Sequence, residues 1–155
     1  MKAIRILFLI VLPFLINVAT SGQVMDKLYT YLINDYYKEL CNKGYLSKQD
    51  VLYFTCGLCS DCQGKCFDYK VELKTDKIQF KLPTVDKEHP KASFYNLSLP
   101  ELKKQFIIID IGIYSMIYNA DNGRKIIYCG TKQYIFKYDK RVSKYVFSTK
   151  KEYGI

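Results

Sequence analysis

Phe106-Ile107-Ile108-Ile109-Asp110-Ile111-Gly112-Ile113-Tyr114-Ser115-Met116-Ile117-Tyr118 is the most apolar stretch of the chain beyond its first 22 residues, and its reading decides the fold. Aromatic and β-branched residues at this density suit a strand buried at the centre of a sheet. Side chains alternate along a strand, so Ile107, Ile109, Ile111 and Ile113 share one face, while Asp110 falls on the other with Ile108, Tyr114 and Met116. Asn122-Gly123 follows as a hairpin signal, because both residues accept the positive φ of a type I′ turn. Residues 124–129, 133–139 and 144–149 then read as a continuing meander.

Upstream, the hydrophobic period is helical. Leu28, Leu32, Tyr36 and Leu40 recur every fourth residue with Tyr29, Ile33 and Tyr37 beside them, which predicts an amphipathic helix over 25–42 that Gly44 ends. Ser47-Lys48-Gln49-Asp50 has the spacing of a capping arrangement ahead of residues 51–54, and it predicts a short second helix, with a strand as the competitor. Residues 67–73 alternate apolar and charged side chains, so they read as a half-buried strand. Thr75-Asp76-Lys77 turns it, and Ile78, Phe80 and Leu82 supply a partner strand. Residues 83–97 read as a polar connection carrying His89, Pro90 and the sequon Asn96-Leu97-Ser98, and a brief helix is expected over 100–105 with Pro100 in its first turn.

Two helices, two strands, a short helix and four further antiparallel strands make an α+β order: N-terminal helices packed on a curved antiparallel sheet, with a cysteine-rich loop between them. This element order resembles the NTF2-like (cystatin-like) superfamily, in which a bent sheet wraps the helices into an open cone. The resemblance implies a concave side. If the face bearing Asp110 and Tyr114 lines it, Asp110 is a carboxylate in a partly apolar pocket, where it would serve as a base or ligand anchor. The alternative is a structural carboxylate beside Gly112, paired to a lysine on a neighbouring strand.

Four of the six cysteines crowd into residues 56–66, as Cys56, Cys59, Cys62 and Cys66; Cys41 and Cys129 complete the set. The C-x2-C-x2-C-x3-C spacing is that of bacterial ferredoxins, but Phe67 stands where those proteins carry proline. A thioredoxin-like pair at Cys56 and Cys59 would need a helix starting at the motif, and Gly64 with the strand pattern from Phe67 leaves no room for one. Four thiolates could hold zinc or copper(I), although four ligands within eleven residues is a cramped arrangement. An even number of cysteines in a small exported domain reads as a disulfide framework, with no cofactor, and that is the expectation here. His89, the single histidine, falls in a polar, proline-flanked loop and is expected to be solvent-exposed.

The compartment follows from the N-terminus. Lys2 and Arg5, the apolar run over 6–16 and the small residues Ala19 and Ser21 have the form of a cleaved signal peptide, so residues 1–22 are expected to be removed and 23–155 to form a single domain acting outside the cytoplasm, secreted or periplasmic. The run is shorter than the roughly 20 residues a membrane span needs. Removing Lys2 and Arg5 from a formal charge of +9 leaves about +7, nearly all of it lysine. Specific nucleic-acid reading favours clustered arginine, which is absent, whereas weak attraction to an acidic glycan or cell envelope fits. These readings describe a secreted, non-enzymatic protein that binds a protein or small ligand. The alternative is a redox or metal-handling protein using the Cys56 to Cys66 cluster.

Overall fold

The computed structural model describes residues 2–47, 50–57, 69, 71–121 and 123–154, with the backbone alone for 2–21. Among the described residues one helix, α1 (Lys2–Asn42), precedes seven strands: β1 (Leu52–Cys56), β2 (Ile78–Phe80), β3 (Lys91–Leu97), β4 (Glu101–Lys103), β5 (Phe106–Asn119), β6 (Gly123–Asp139) and β7 (Lys144–Gly154). They form a single sheet in the order β2-β1-β3-β5-β6-β7, with β4 also on β5. The sheet is mixed, because β1 runs parallel to both β2 and β3 while the other pairs are antiparallel.

The helical stripe and the isoleucine face meet as the sequence predicts. Leu28, Tyr29, Leu32, Ile33, Tyr36 and Leu40 pack against Ile107, Ile109 and Ile111 of β5, with Leu52 and Phe54 of β1 and Tyr134 and Phe136 of β6 completing the cluster. α1 ends at Gly44, where φ is 71°; Gly44 N–H donates to Cys41 O at 3.1 Å and Tyr45 N–H to Leu40 O at 2.9 Å. That is the Schellman arrangement, and it explains why a residue without Cβ stands there. No helix among the described residues is long and apolar enough to cross a membrane.

The α+β expectation of several helices packed on an antiparallel sheet is corrected to a mostly sheet structure with one helix among the described residues. Ser47 N–H does donate to the Asp50 carboxylate, at 2.6 Å, as half of a capping box would. Yet residues 52–56 form β1 instead of a second helix, because Leu52 and Phe54 find a buried sheet position between β2 and β3. Residues 101–103 form β4 rather than a helix, since this segment pairs with residues 106–108 across a tight turn at Lys104, where φ is 54°. Residues 71–73 are not a strand but lie along α1, and Tyr69, stacked on Tyr29 with ring centroids 5.4 Å apart, makes an isolated bridge. The largest departure is β3: it was expected as polar connection, but Phe94, Tyr95 and Leu97 are buried and the strand sits between β1 and β5. The element order that suggested the NTF2-like resemblance is therefore not the order observed.

The hairpin expected at Asn122-Gly123 joins β5 to β6; Asn122 lies outside the described residues, and Gly123 has a φ of 77°. β6 fuses the two strands expected over 124–129 and 133–139. The join is Gly130, at a φ of 152°, where an added Cβ would lie 2.7 Å from Tyr153 O of β7. Cys129 is the extra residue of a bulge here, since Ile113 faces Gly130 while Tyr114 faces Tyr128.

Two substitutions test this account. Ile109→Ala, at a fully buried position, is expected to cost about 2 to 5 kcal/mol in urea unfolding. Gly130→Ala should lower the melting temperature and loosen β7, seen as faster amide exchange in residues 150–154, whereas Gly22→Ala, with open space around its Cα, should change neither.

Candidate functional site

One face of α1, from Gln23 to Lys38, forms a cleft of about 570 Å³ with Glu72 and Lys74 on the opposite side. Its far wall is held in place by side chains that imitate a β-ladder. Asn34, only 6 % exposed, donates from Nδ2 to Thr30 O at 2.7 Å and to Glu72 O at 3.1 Å, while its Oδ1 accepts Lys74 N–H at 3.1 Å. Thr30 Oγ1 accepts Glu72 N–H at 3.0 Å. The backbone of residues 72–74 thus finds on the helix the partners a neighbouring strand would supply, which leaves the Glu72 and Lys74 side chains at the cleft.

Below the cleft, α1 is tied to β6 and β7 by charge. Asp35 Oδ2 accepts hydrogen bonds from Tyr134 Oη at 2.9 Å and Lys150 Nζ at 3.0 Å. Glu39 receives three ammonium groups: Lys150 at 2.7 Å, Lys43 at 2.7 Å, and the buried Lys132, whose Nζ is in direct hydrogen-bond contact. Lys132 also lies over the Tyr36 ring and Lys150 over the Tyr134 ring, at 5.6 and 5.8 Å from the centroids.

Burial pushes the Glu39 carboxyl up, but hydrogen bonds from Lys132, Lys150 and Lys43 outweigh it and hold the group at about 2. For Lys150 burial works against the charge, yet Glu39 and Asp35 keep its ammonium above the ordinary lysine value. Burial, reinforced by the bond to Asp35, raises the Tyr134 phenol. General acid–base work needs a group that titrates near the working pH. These groups are pinned away from neutrality and suit holding rather than proton transfer.

The residues singled out from sequence lie elsewhere. Asp110 is half-buried, as expected on the face opposite Ile109, but its Oδ1 accepts Gln133 Nε2 at 3.0 Å rather than a lysine. Its backbone also spans the gap where β3 hands over to β4, with N–H to Ser98 Oγ and O from Ser98 N–H, both at 2.9 Å. Tyr114 lines a separate cavity of about 100 Å³ beside Thr55, Phe94, Asn96 and Ile126, stacked on Phe94 at 5.2 Å. Asp110 lines neither cavity, so the structure does not bring the two together. The sequon residue Asn96 accepts Thr55 Oγ1 at 3.0 Å within the sheet. His89 is exposed in a turn where Asp86 Oδ1 caps its N–H at 2.7 Å.

The six-cysteine disulfide framework is corrected. Cys41 and Cys129 are free and exposed, one on the outer surface of α1 and one at the β6 bulge, so neither staples helix to sheet. Cys56 is buried and disulfide-bonded, and no bond joins any two of the described cysteines. Cys59, Cys62 and Cys66 lie outside the described residues. Among the described residues no group of three or more histidine, cysteine or acidic side chains is arranged to hold a metal.

Sequence reasoning missed the charge cluster and the cleft. One signal was present: Lys132 shares its strand parity with Tyr134 and Phe136, which places a lysine on a core-facing row. Asn34 gave no signal, because the strap it binds comes from a segment 38 residues away. Comparison with known protein families, curated proteins and solved structures finds no match.

The folded value of Glu39 lies below its ordinary 4.5, so its contribution to stability is fully present above about 4.5 and is lost as pH falls toward about 2. Glu39→Gln should flatten the melting-temperature profile through that interval. At neutral pH it should cost about 3 to 5 kcal/mol, because it removes the carboxylate from a buried lysine. Thermal and urea unfolding at pH 7, 4 and 2.5 measures both effects.

Proposed function

We propose that this chain is a non-enzymatic binding protein, acting outside the cytoplasm, whose cleft between α1 and residues 72–74 holds a polar ligand with acidic groups. The observation that carries this reading is the charge left available there. Lys27, Lys38 and Lys74 line the cleft without an ion pair among the described residues, whereas the Asp35 carboxylate is already met by Lys150. A volume of about 570 Å³ lies inside the roughly 300 to 1,000 Å³ typical of ligand sites. Asp26 and Glu72 also line the cleft, so both signs are present, an arrangement that suits an acidic sugar with hydroxyls beside its charged group.

The pinned charges of Glu39 and Lys150 support holding over chemistry. The net charge of about +7 left after removal of Lys2 and Arg5 draws acidic glycans toward the surface, and the extracytoplasmic placement rests on the sequence of residues 1–22 alone.

Calorimetric titration with a sulfated hexasaccharide and its desulfated counterpart tests the reading. The sulfated form should bind in the micromolar range, weaken as salt is raised, and lose at least tenfold in affinity when Lys27, Lys38 and Lys74 are changed together to Glu with melting unaltered. Equal affinity for both sugars, or an unchanged affinity in the triple variant, would sink it.

A further inference from the structure

Tyr31 is the one aromatic side chain among the described residues that line the cleft, and every other one of them is polar or charged. It is 41 % exposed, although its neighbour Leu32 is fully buried. The ring is nonetheless held. It meets Phe136 of β6 edge-on, with centroids 5.9 Å apart and planes at 81°, and Phe147 of β7 at 5.4 Å and 32°. Two strands thus brace an aromatic ring that still opens on the cleft, and such a ring fixed among polar groups is the usual composition of a ligand site.

The helix period sets what stands on either side of that ring. Lys27 and Asp35 lie four residues before and four after Tyr31, so the three are neighbours on one face of α1, and all three line the cleft. Asp35 takes its bonds from Tyr134 and Lys150 on the same oxygen, Oδ2, which leaves Oδ1 to accept from a ligand. An ammonium group, an aromatic ring and a carboxylate oxygen therefore follow one another along the helix. An acidic pyranose carries the matching sequence: an anionic group, a ring face of C–H bonds, and hydroxyls that donate. The C–H face suits the negative face of an aromatic ring.

We infer, resting on the reading of the cleft as a site for acidic ligands, that Tyr31 is the platform on which one pyranose ring of an acidic sugar stacks, with a ring hydroxyl donating to Asp35 Oδ1 and the acidic group facing Lys27. Tyr31 then sets specificity, since the lysines attract any anion and only the ring distinguishes a sugar from the rest. A nucleobase is the other flat ligand an aromatic platform takes. It is disfavoured here because a nucleic acid carries a phosphate with every base, and Asp26, Asp35 and Glu72 line the same cleft.

The test titrates the full chain and three Tyr31 variants with the sulfated hexasaccharide. Tyr31→Leu keeps apolar bulk against Phe136 and Phe147 but has no flat face, and it should weaken binding about tenfold. The salt dependence of affinity should stay as in the unaltered chain, because no ionic contact is lost, whereas the Lys27, Lys38 and Lys74 variant should flatten it. Tyr31→Phe should bind as the unaltered chain does. The chain has no tryptophan, so Tyr31→Trp places a single reporter in the cleft, and its emission should shift on adding the sugar. That signal decides the matter independently should Tyr31→Leu melt early. Binding that needs the lysines but is equal in Tyr31→Leu, or a tryptophan emission that the bound sugar leaves unmoved, overturns the platform and spares the cleft. Tighter binding of single-stranded hexathymidylate than of the sugar, lost in Tyr31→Leu, overturns the choice of ligand. No binding of the sugar to the unaltered chain, or equal binding to the triple lysine variant, overturns the cleft reading and this inference with it.

Discussion

Ile107, Ile109 and Ile111 of β5 must be covered, and the apolar stripe of α1 from Leu28 to Leu40 is what covers them. Neither surface is stable in water alone, since a single helix is marginal without a packed face and the isoleucine row would be an open apolar patch. Burying the two together sets the position of α1 across the sheet. Everything with functional interest follows from that placement, because it brings the other faces of the helix against residues 72–74 on one side and against β6 and β7 on the other.

The polar contacts then set the helix's rotation and register. Asp35 and Glu39 are one turn apart and meet lysines from two adjacent strands, Lys132 on β6 and Lys150 on β7. A rotation of α1 would strand Lys132, which has almost no access to solvent. Burying such a lysine is expensive unless a carboxylate meets it. Its value here is in specifying one arrangement of helix on sheet, and with that the geometry of the cleft.

The opposite end of the molecule follows a different constraint. β5 and β6 continue as a long hairpin beyond the reach of α1, where Val85, Phe94 and Met116 form a second, smaller core on the far face of the sheet with Leu82, Tyr114 and Tyr118 packed on it. This supports β5 from the face opposite the helix.

Local pattern by itself determined the apolar helical stripe from Leu28 to Leu40, the end of the helix at Gly44, the isoleucine face of β5 and the hairpin that follows it, because each depends on side-chain period or on backbone freedom within a few residues; the start expected at residue 25 is corrected, since α1 begins at Lys2. It also placed Asp110 on the half-exposed face. Tertiary structure decided the rest. Residues 52–56 became a strand despite a capping signal because β2 and β3 offered a ladder on each side, and residues 91–97 became a central strand despite polar flanks because β1 and β5 needed a partner between them. The pairing of Glu39 with Lys132 spans 93 residues, and the hold of Asn34 on residues 72–74 spans about forty. Such contacts leave no periodic trace in a sequence, since they arise only when the burial of the apolar faces has already brought distant segments together.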